Sequence, residues 1–177
     1  TREPGGTALG EDIRKILLQP VHTSIDPLTE LLLYIACRAQ LVKEVIRPAL
    51  IEDKVVLIDR FSDSTIAYQG WGRGLDVQMI KEMNGFATGN IIPDITFVFD
   101  IEPEAGLARV SRRGKDGSVD RMEAEQISFH ERVRKGFLEL AKQENRCHVI
   151  DASKPIDHIQ NELRMIYSNL VEKRAGM

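Results

Sequence analysis

Three short apolar runs along the chain each end in aspartate: Val55-Val56-Leu57-Ile58-Asp59, Ile95-Thr96-Phe97-Val98-Phe99-Asp100 and His148-Val149-Ile150-Asp151. Unbroken β-branched and aromatic runs of this length predict strands buried on both faces. Between them, apolar residues recur at helical spacing, which predicts helices over 10–18, 27–52, 76–88, 102–113, 123–145 and 156–174. Strands alternating with helices define an α/β fold with a parallel β-sheet flanked by helices. Ligands of such sheets bind at the carboxyl ends of the strands, where Asp59, Asp100 and Asp151 stand. Asp26-Pro27 is a strong helix start, with aspartate as N-cap and proline in the first turn. Pro48 is expected to kink that helix or end it near Arg47. No repeat, low-complexity tract or linker divides the chain, so residues 1–177 read as one domain.

Composition narrows the function classes. With 24 Lys plus Arg against 27 Asp plus Glu, the net charge is −3, which argues against a polybasic nucleic-acid or membrane-surface binder. A small phosphorylated ligand is not excluded, because it needs only a local Arg/Lys cluster. The two cysteines, Cys37 and Cys147, show neither metal-site nor disulfide spacing and read as small core residues of a protein in the reducing cytoplasm. The four histidines are scattered without zinc spacing, and no apolar run is long enough to span a membrane.

Three stretches could carry chemistry. The first runs from Asp59 to Gly70 and starts at the end of a predicted strand. A carboxylate there can hold Mg²⁺ through water, and the adjacent Arg60 can grip a phosphate with two prongs. The bland alternative makes Asp59 the cap of the next helix, paired with Arg60; the hydroxyls and amides that follow favour a ligand site. The second is Tyr34 with Arg38, four residues apart on an otherwise apolar helix and therefore on one face. A buried Arg38 needs an acceptor and Tyr34 could stack on a planar ring; equally, Tyr34 could be core and Arg38 could snorkel to water. The third is the arginine-rich stretch 109–121, whose glycines suit a closing lid but whose charge also suits a solvated loop. Gly70-Trp71-Gly72-Arg73-Gly74 follows a helix-forming stretch rather than a strand and reads as a turn.

In order along the chain, Thr1-Arg2-Glu3-Pro4-Gly5-Gly6-Thr7, Tyr34 through Arg38-Ala39-Gln40, Asp59-Arg60 with Ala67-Tyr68-Gln69-Gly70, and the arginine-rich stretch closed by Asp120-Arg121-Met122-Glu123 resemble the thymidylate kinase family of P-loop enzymes. The resemblance covers nearly the whole chain. It implies phosphoryl transfer from ATP to dTMP with Mg²⁺, in a homodimer with the 27–52 helix at its interface. It implies that Tyr34 stacks on thymine where the family usually has Phe. Arg38 and Thr65 would contact the base, Arg60 would hold the dTMP phosphate, and Asp59 would organise Mg²⁺. Tyr68 would crowd the 2′ position, Glu3 and Pro4 would line the sugar and phosphate, and Gln69 would belong to the same acceptor pocket. Arg109 would contact adenine, and Arg113 would be the catalytic lid arginine of the bacterial type.

The main departure from the family lies at the N-terminus. No Gly-x-x-x-x-Gly-Lys-[Ser/Thr] loop occurs within 1–177, and the only Gly-Lys, at 114–115, has Arg109 where the first glycine belongs. The resemblance implies that this loop, its strand and its helix lie upstream of Thr1, and that the chain without them is inactive. Two alternatives remain at this point: a kinase for another nucleoside or nucleotide, and a non-catalytic nucleotide-binding protein.

Overall fold

The computed structural model describes residues 1–20, 25–112 and 119–175. Its elements are α1 (Ala8–Leu18), α2 (Pro27–Leu41), α3 (Arg47–Ile51), α4 (Ser62–Thr65), α5 (Val77–Thr88), β1 (Thr96–Asp100), α6 (Pro103–Ser111), α7 (Ile127–Gln143), β2 (Cys147–Asp151) and α8 (Ile156–Ala175). β1 and β2 pair in parallel, with Thr96 opposite Cys147 and Asp100 opposite Asp151. Two of the three strand-end aspartates therefore stand side by side. The run 55–58 is not part of this ladder. Among the described residues it pairs with the N-terminal segment: the Thr1 amino group donates to Leu57 O at 2.8 Å, Asp59 N to Thr1 O at 3.1 Å and Glu3 N to Asp59 O at 2.9 Å. An apolar run dictates an extended backbone, but a ladder also needs a partner in register. Thr1–Glu3 supplies a single parallel bridge, Arg2 to Asp59.

The helical expectations hold with informative differences. Asp26 caps α2 as expected, its Oδ1 accepting from Leu28 N at 2.9 Å and Thr29 N at 3.3 Å. Pro48 does not end the helix. Instead Val42–Ile46 widens into a π-helical turn that leads into α3, which contains Pro48. A proline ring clashes with the carbonyl four residues back, and a wider turn just upstream moves that carbonyl aside. A second π-helical turn, Ile66–Gly72, extends α4, so the predicted turn begins only after Gly72. A Cβ on Gly72 would fall 2.6 Å from Phe129 Cε2, so glycine there is what lets α7 pack against this turn. α7 begins at Ile127 rather than 123, because Asp120 closes its own turn first: its Oδ1 accepts from Met122 N and Glu123 N, both at 2.8 Å, while Glu123 Oε2 accepts from Asp120 N at 3.2 Å.

The core among the described residues falls into several buried clusters. Leu31, Ile66, Ile80, Leu140 and Cys147 form one buried cluster and Leu41, Val42, Ile46 and Phe61 another. Each such aliphatic side chain contributes about 1.5–3 kcal/mol on burial. Cys37 and Cys147 are free and buried, as expected of small core residues. Among the described residues, no helix is long and apolar enough to cross a membrane.

Candidate active site

Residues 30, 34 and 38 recur every fourth position on α2 and so form a single stripe: Glu30, Tyr34, Arg38. Glu30 and Arg38 are 0% and 1% exposed. Arg38 does not reach water, and each of its three guanidinium nitrogens has a protein acceptor. Nε and Nη2 donate to Glu3 Oε2 at 2.8 and 2.5 Å, and Nη1 donates to Thr65 Oγ1 at 2.7 Å and to Asn84 Oδ1 at 2.6 Å. The snorkelling alternative is thereby excluded. Three predicted acceptor-site residues, Glu3, Arg38 and Thr65, thus meet in one buried network.

The N-terminal loop is built to deliver Glu3 there. Gly5 and Gly6 have φ of 128° and 78°, values that only glycine adopts comfortably. Gly5 N donates to Cys37 Sγ at 3.2 Å and Gly6 N to Glu11 Oε1 at 3.0 Å, while Thr7 caps α1 through Gly10 N at 3.0 Å. Arg14 reaches back to Pro4 O at 2.9 Å. Burial pushes the Glu3 carboxyl above its ordinary range despite the charge and hydrogen bonds of Arg38. Its Oε1 is buried without a partner.

Asp59 and Arg60 stand where the extended run ends. Asp59 does not cap α4: the N-cap position is Phe61, which makes no side-chain cap bond. Arg60 has φ 66°, a left-handed backbone uncommon outside glycine. Its guanidinium lies over the Tyr68 ring, 4.9 Å from the centroid, and Tyr68 in turn meets Phe129 and Phe137 edge-on at 6.1 Å. The Arg60 side chain is thus held against an aromatic platform. Among the described residues, no three His, Cys, Asp or Glu side chains gather into a metal cage. A single carboxylate such as Asp59 could still hold Mg²⁺, which is held by one or two carboxylates, water and substrate phosphates.

Glu30 was invisible to motif reading, although an acid four residues before Tyr34 inside Leu-Thr-Glu-Leu-Leu-Leu was a usable signal. Its Oε1 accepts from Gln69 Nε2 at 2.7 Å and Arg73 Nε at 3.2 Å; Arg73 Nη2 lies 3.1 Å and Arg121 Nη2 2.6 Å from Oε2. Burial raises its pKa, but the hydrogen bonds of Arg73 and Gln69 and the charges of Arg73 and Arg121 outweigh this and hold the carboxyl below its usual range. Arg121 also donates to Leu17 O at 2.7 Å, tying the Asp120–Glu123 turn to the end of α1. Burial first, then the Glu30 charge, raises the Tyr34 hydroxyl above its ordinary value, with Arg121 and Arg60 acting the other way.

Of the two predicted ATP-side arginines, Arg109 lies in the last turn of α6 and donates to Ala152 O at 3.0 Å, just past β2. Arg113 lies outside the described residues, together with the rest of 113–118.

The sequence model of the thymidylate kinase family matches residues 1–163. The chain belongs to the thymidylate kinase family. A thymidylate kinase from Desulfosudis oleivorans is 49% identical over 168 residues, covering 92% of this chain and 78% of the relative. One from Lactobacillus helveticus is 48% identical over 164 residues, covering 92% of this chain and 77% of the relative. The crystal structure of thymidylate kinase from Ehrlichia chaffeensis superposes with a TM-score of 0.72 at 37% identity, over 94% of this chain and 78% of that one. Family and fold expected from the motifs are therefore both established.

Proposed function

We propose that the protein transfers the γ-phosphoryl group of ATP to dTMP, giving dTDP. The observation that carries this reading is the joining of two motif segments at one place: Arg38 to Thr65 and Glu30 to Gln69 bind the α2 stripe to the Asp59–Gln69 segment. A pyrimidine stacked on Tyr34 would have Arg38 and Thr65 at its edge, with Glu3 and Pro4 beside the sugar and phosphate. Arg60 would grip the dTMP phosphate from its Tyr68 platform, and Tyr68 would crowd a 2′-hydroxyl.

Phosphoryl transfer asks for positioning and charge neutralisation rather than covalent help. Asp59 is the residue that would hold Mg²⁺ through water, and the ion would neutralise charge on the nucleotide phosphates. Arg109 and the lid arginine Arg113 would serve ATP, Arg113 in the transition state. Loss of a transition-state arginine costs on the order of 10³ in rate or more. Arg113→Ala in the full-length protein is therefore expected to lower kcat with little change in dTMP binding.

The same reading includes a homodimer through α2, whose outward stripe of Leu28, Leu32, Ala36 and Ala39 is exposed, and a cytoplasmic setting. Light scattering of the full-length protein tests the dimer. An ADP-release assay over dTMP, dUMP, dCMP and dGMP tests the activity; dTMP should give the highest kcat/KM, and a preference for a purine would sink the reading.

A further inference from the structure

Glu30 is a fully buried carboxylate surrounded by donors, and only one of its partners belongs to the acceptor pocket. Arg73 and Arg121 supply its charge balance, from the end of the π-helical turn and from the Asp120–Glu123 turn. Arg73 also pairs with Glu125 at 2.6 Å and lies 4.5 Å over the Phe129 ring, so it is fixed independently of Glu30. Gln69 is different: it is 1% exposed and its amide has two faces of opposite hydrogen-bonding character. Two flanking guanidinium groups keep Glu30 ionised, and an ionised carboxylate only accepts. The Gln69 amide N–H must therefore face Glu30, and its carbonyl oxygen must face the opposite way.

We infer that Glu30 is a positioning residue that sets the orientation of the Gln69 amide and thereby makes the acceptor site prefer a base with an N3–H donor over one with an N3 acceptor. The inference rests on the proposed acceptor pocket, of which Gln69 is part, and adds to it that the Gln69 carbonyl faces the base. Thymine and uracil carry N3–H, which the outward carbonyl oxygen accepts. Cytosine carries a lone pair at N3, which that oxygen repels. With the Glu30 charge removed, the amide can rotate by 180° and offer N–H instead, the arrangement cytosine needs.

The test uses Glu30→Gln, Glu30→Asp and Gln69→Leu in the full-length protein, with circular dichroism for folding and kcat/KM for dTMP and dCMP. Glu30→Asp retains the charge for both arginines but withdraws the carboxylate from Gln69. The dTMP-to-dCMP ratio should fall at least about tenfold in Glu30→Gln and by less in Glu30→Asp, with dTMP KM rising more than kcat falls. A purely structural role would lower both substrates together and leave the ratio unchanged. An unchanged ratio in whichever Glu30 variant folds overturns the inference, and failure of both to fold makes the carboxylate a requirement of the fold and overturns it too. If Gln69→Leu leaves the ratio unchanged, Gln69 does not face the base, and it is the pocket reading beneath the inference that has failed.

Discussion

Arg38 Nη1 donates to Thr65 Oγ1 across 2.7 Å, and both side chains are about 1% exposed. The residue implied to read the base is thus also the clasp between α2 and α4, with Glu3 and Asn84 sharing the same guanidinium. Arg38→Ala therefore does more than relax base choice. It leaves the Glu3 carboxyl buried without its cation, a loss of about 3–5 kcal/mol. Thr65→Val removes one hydrogen bond, worth about 1 kcal/mol. Thermal melts of the two variants should separate clearly, at roughly 2–4 °C per kcal/mol for a chain of this size. Equal melting temperatures would show that Glu3 finds another partner.

Arg60 combines a left-handed backbone with a functional side chain, and the two can be separated. Arg60→Ala removes the guanidinium but keeps a Cβ at φ 66°, whereas Arg60→Gly removes both. The glycine variant should be the more stable by about 1 kcal/mol, the reverse of the usual order. Both should raise dTMP KM, and Arg60→Lys should not restore it, since a point charge lacks the two-pronged grip. A normal KM in Arg60→Ala would release this residue from the phosphate role.

The periodic elements were legible in the sequence because one rule generates each of them. Asp26-Pro27 marked the start of α2, and apolar runs marked β1 and β2. The 55–58 run was legible as extended but not in its pairing, which depends on which segment lies beside it. Pro48 marked a disturbance of the helix but not its form, because its local penalty is met by a π-helical turn that no residue type announces. In the candidate site, Tyr34, Arg38, Thr65 and Gln69 were named through motifs and the resemblance they carry, while their partners and neighbours Asn84, Asp63 and Arg146 were not. Asn84 sits in an ordinary amphipathic helix, and the Asp63–Arg146 pair joins residues 83 positions apart. Such contacts are set by topology rather than by local pattern.

That pair carries its own prediction. Arg146 donates from Nη1 and Nη2 to the two Asp63 oxygens at 2.7 Å each, and Thr96 Oγ1 adds a bond at 2.9 Å. Asp63 is buried at the start of α4, so the pair fastens the acceptor-site segment to the edge of the sheet. Asp63→Asn strands a largely buried guanidinium and should cost about 3 kcal/mol. Because α4 leads directly into Tyr68 and Gln69, local unfolding should rise there first. Hydrogen exchange at 62–72 measures this; protection unchanged from wild type would show that the π-helical turn is held by α7 alone.

Glu3 and Glu30, both buried, give opposite pH dependences. The unfolded reference for both is 4.5. Glu30 is held below it in the folded chain, so between the two values the unfolded state binds more protons and stability rises with pH. Its contribution is complete above about 4.5 and is lost as the pH falls through the folded value. Glu3 is raised by burial, so the unfolded state gives up its proton first, and stability falls as the pH climbs from 4.5 through the folded value. The melting-temperature gap between wild type and Glu30→Gln should therefore be widest at neutral pH and narrow in acid. The melting temperature of wild type relative to Glu3→Gln should instead fall as the pH rises from acid towards neutrality. Melts at half-unit steps from pH 3 to 7 decide the matter, and two gaps that do not change with pH would show that neither carboxyl is linked to folding through its proton.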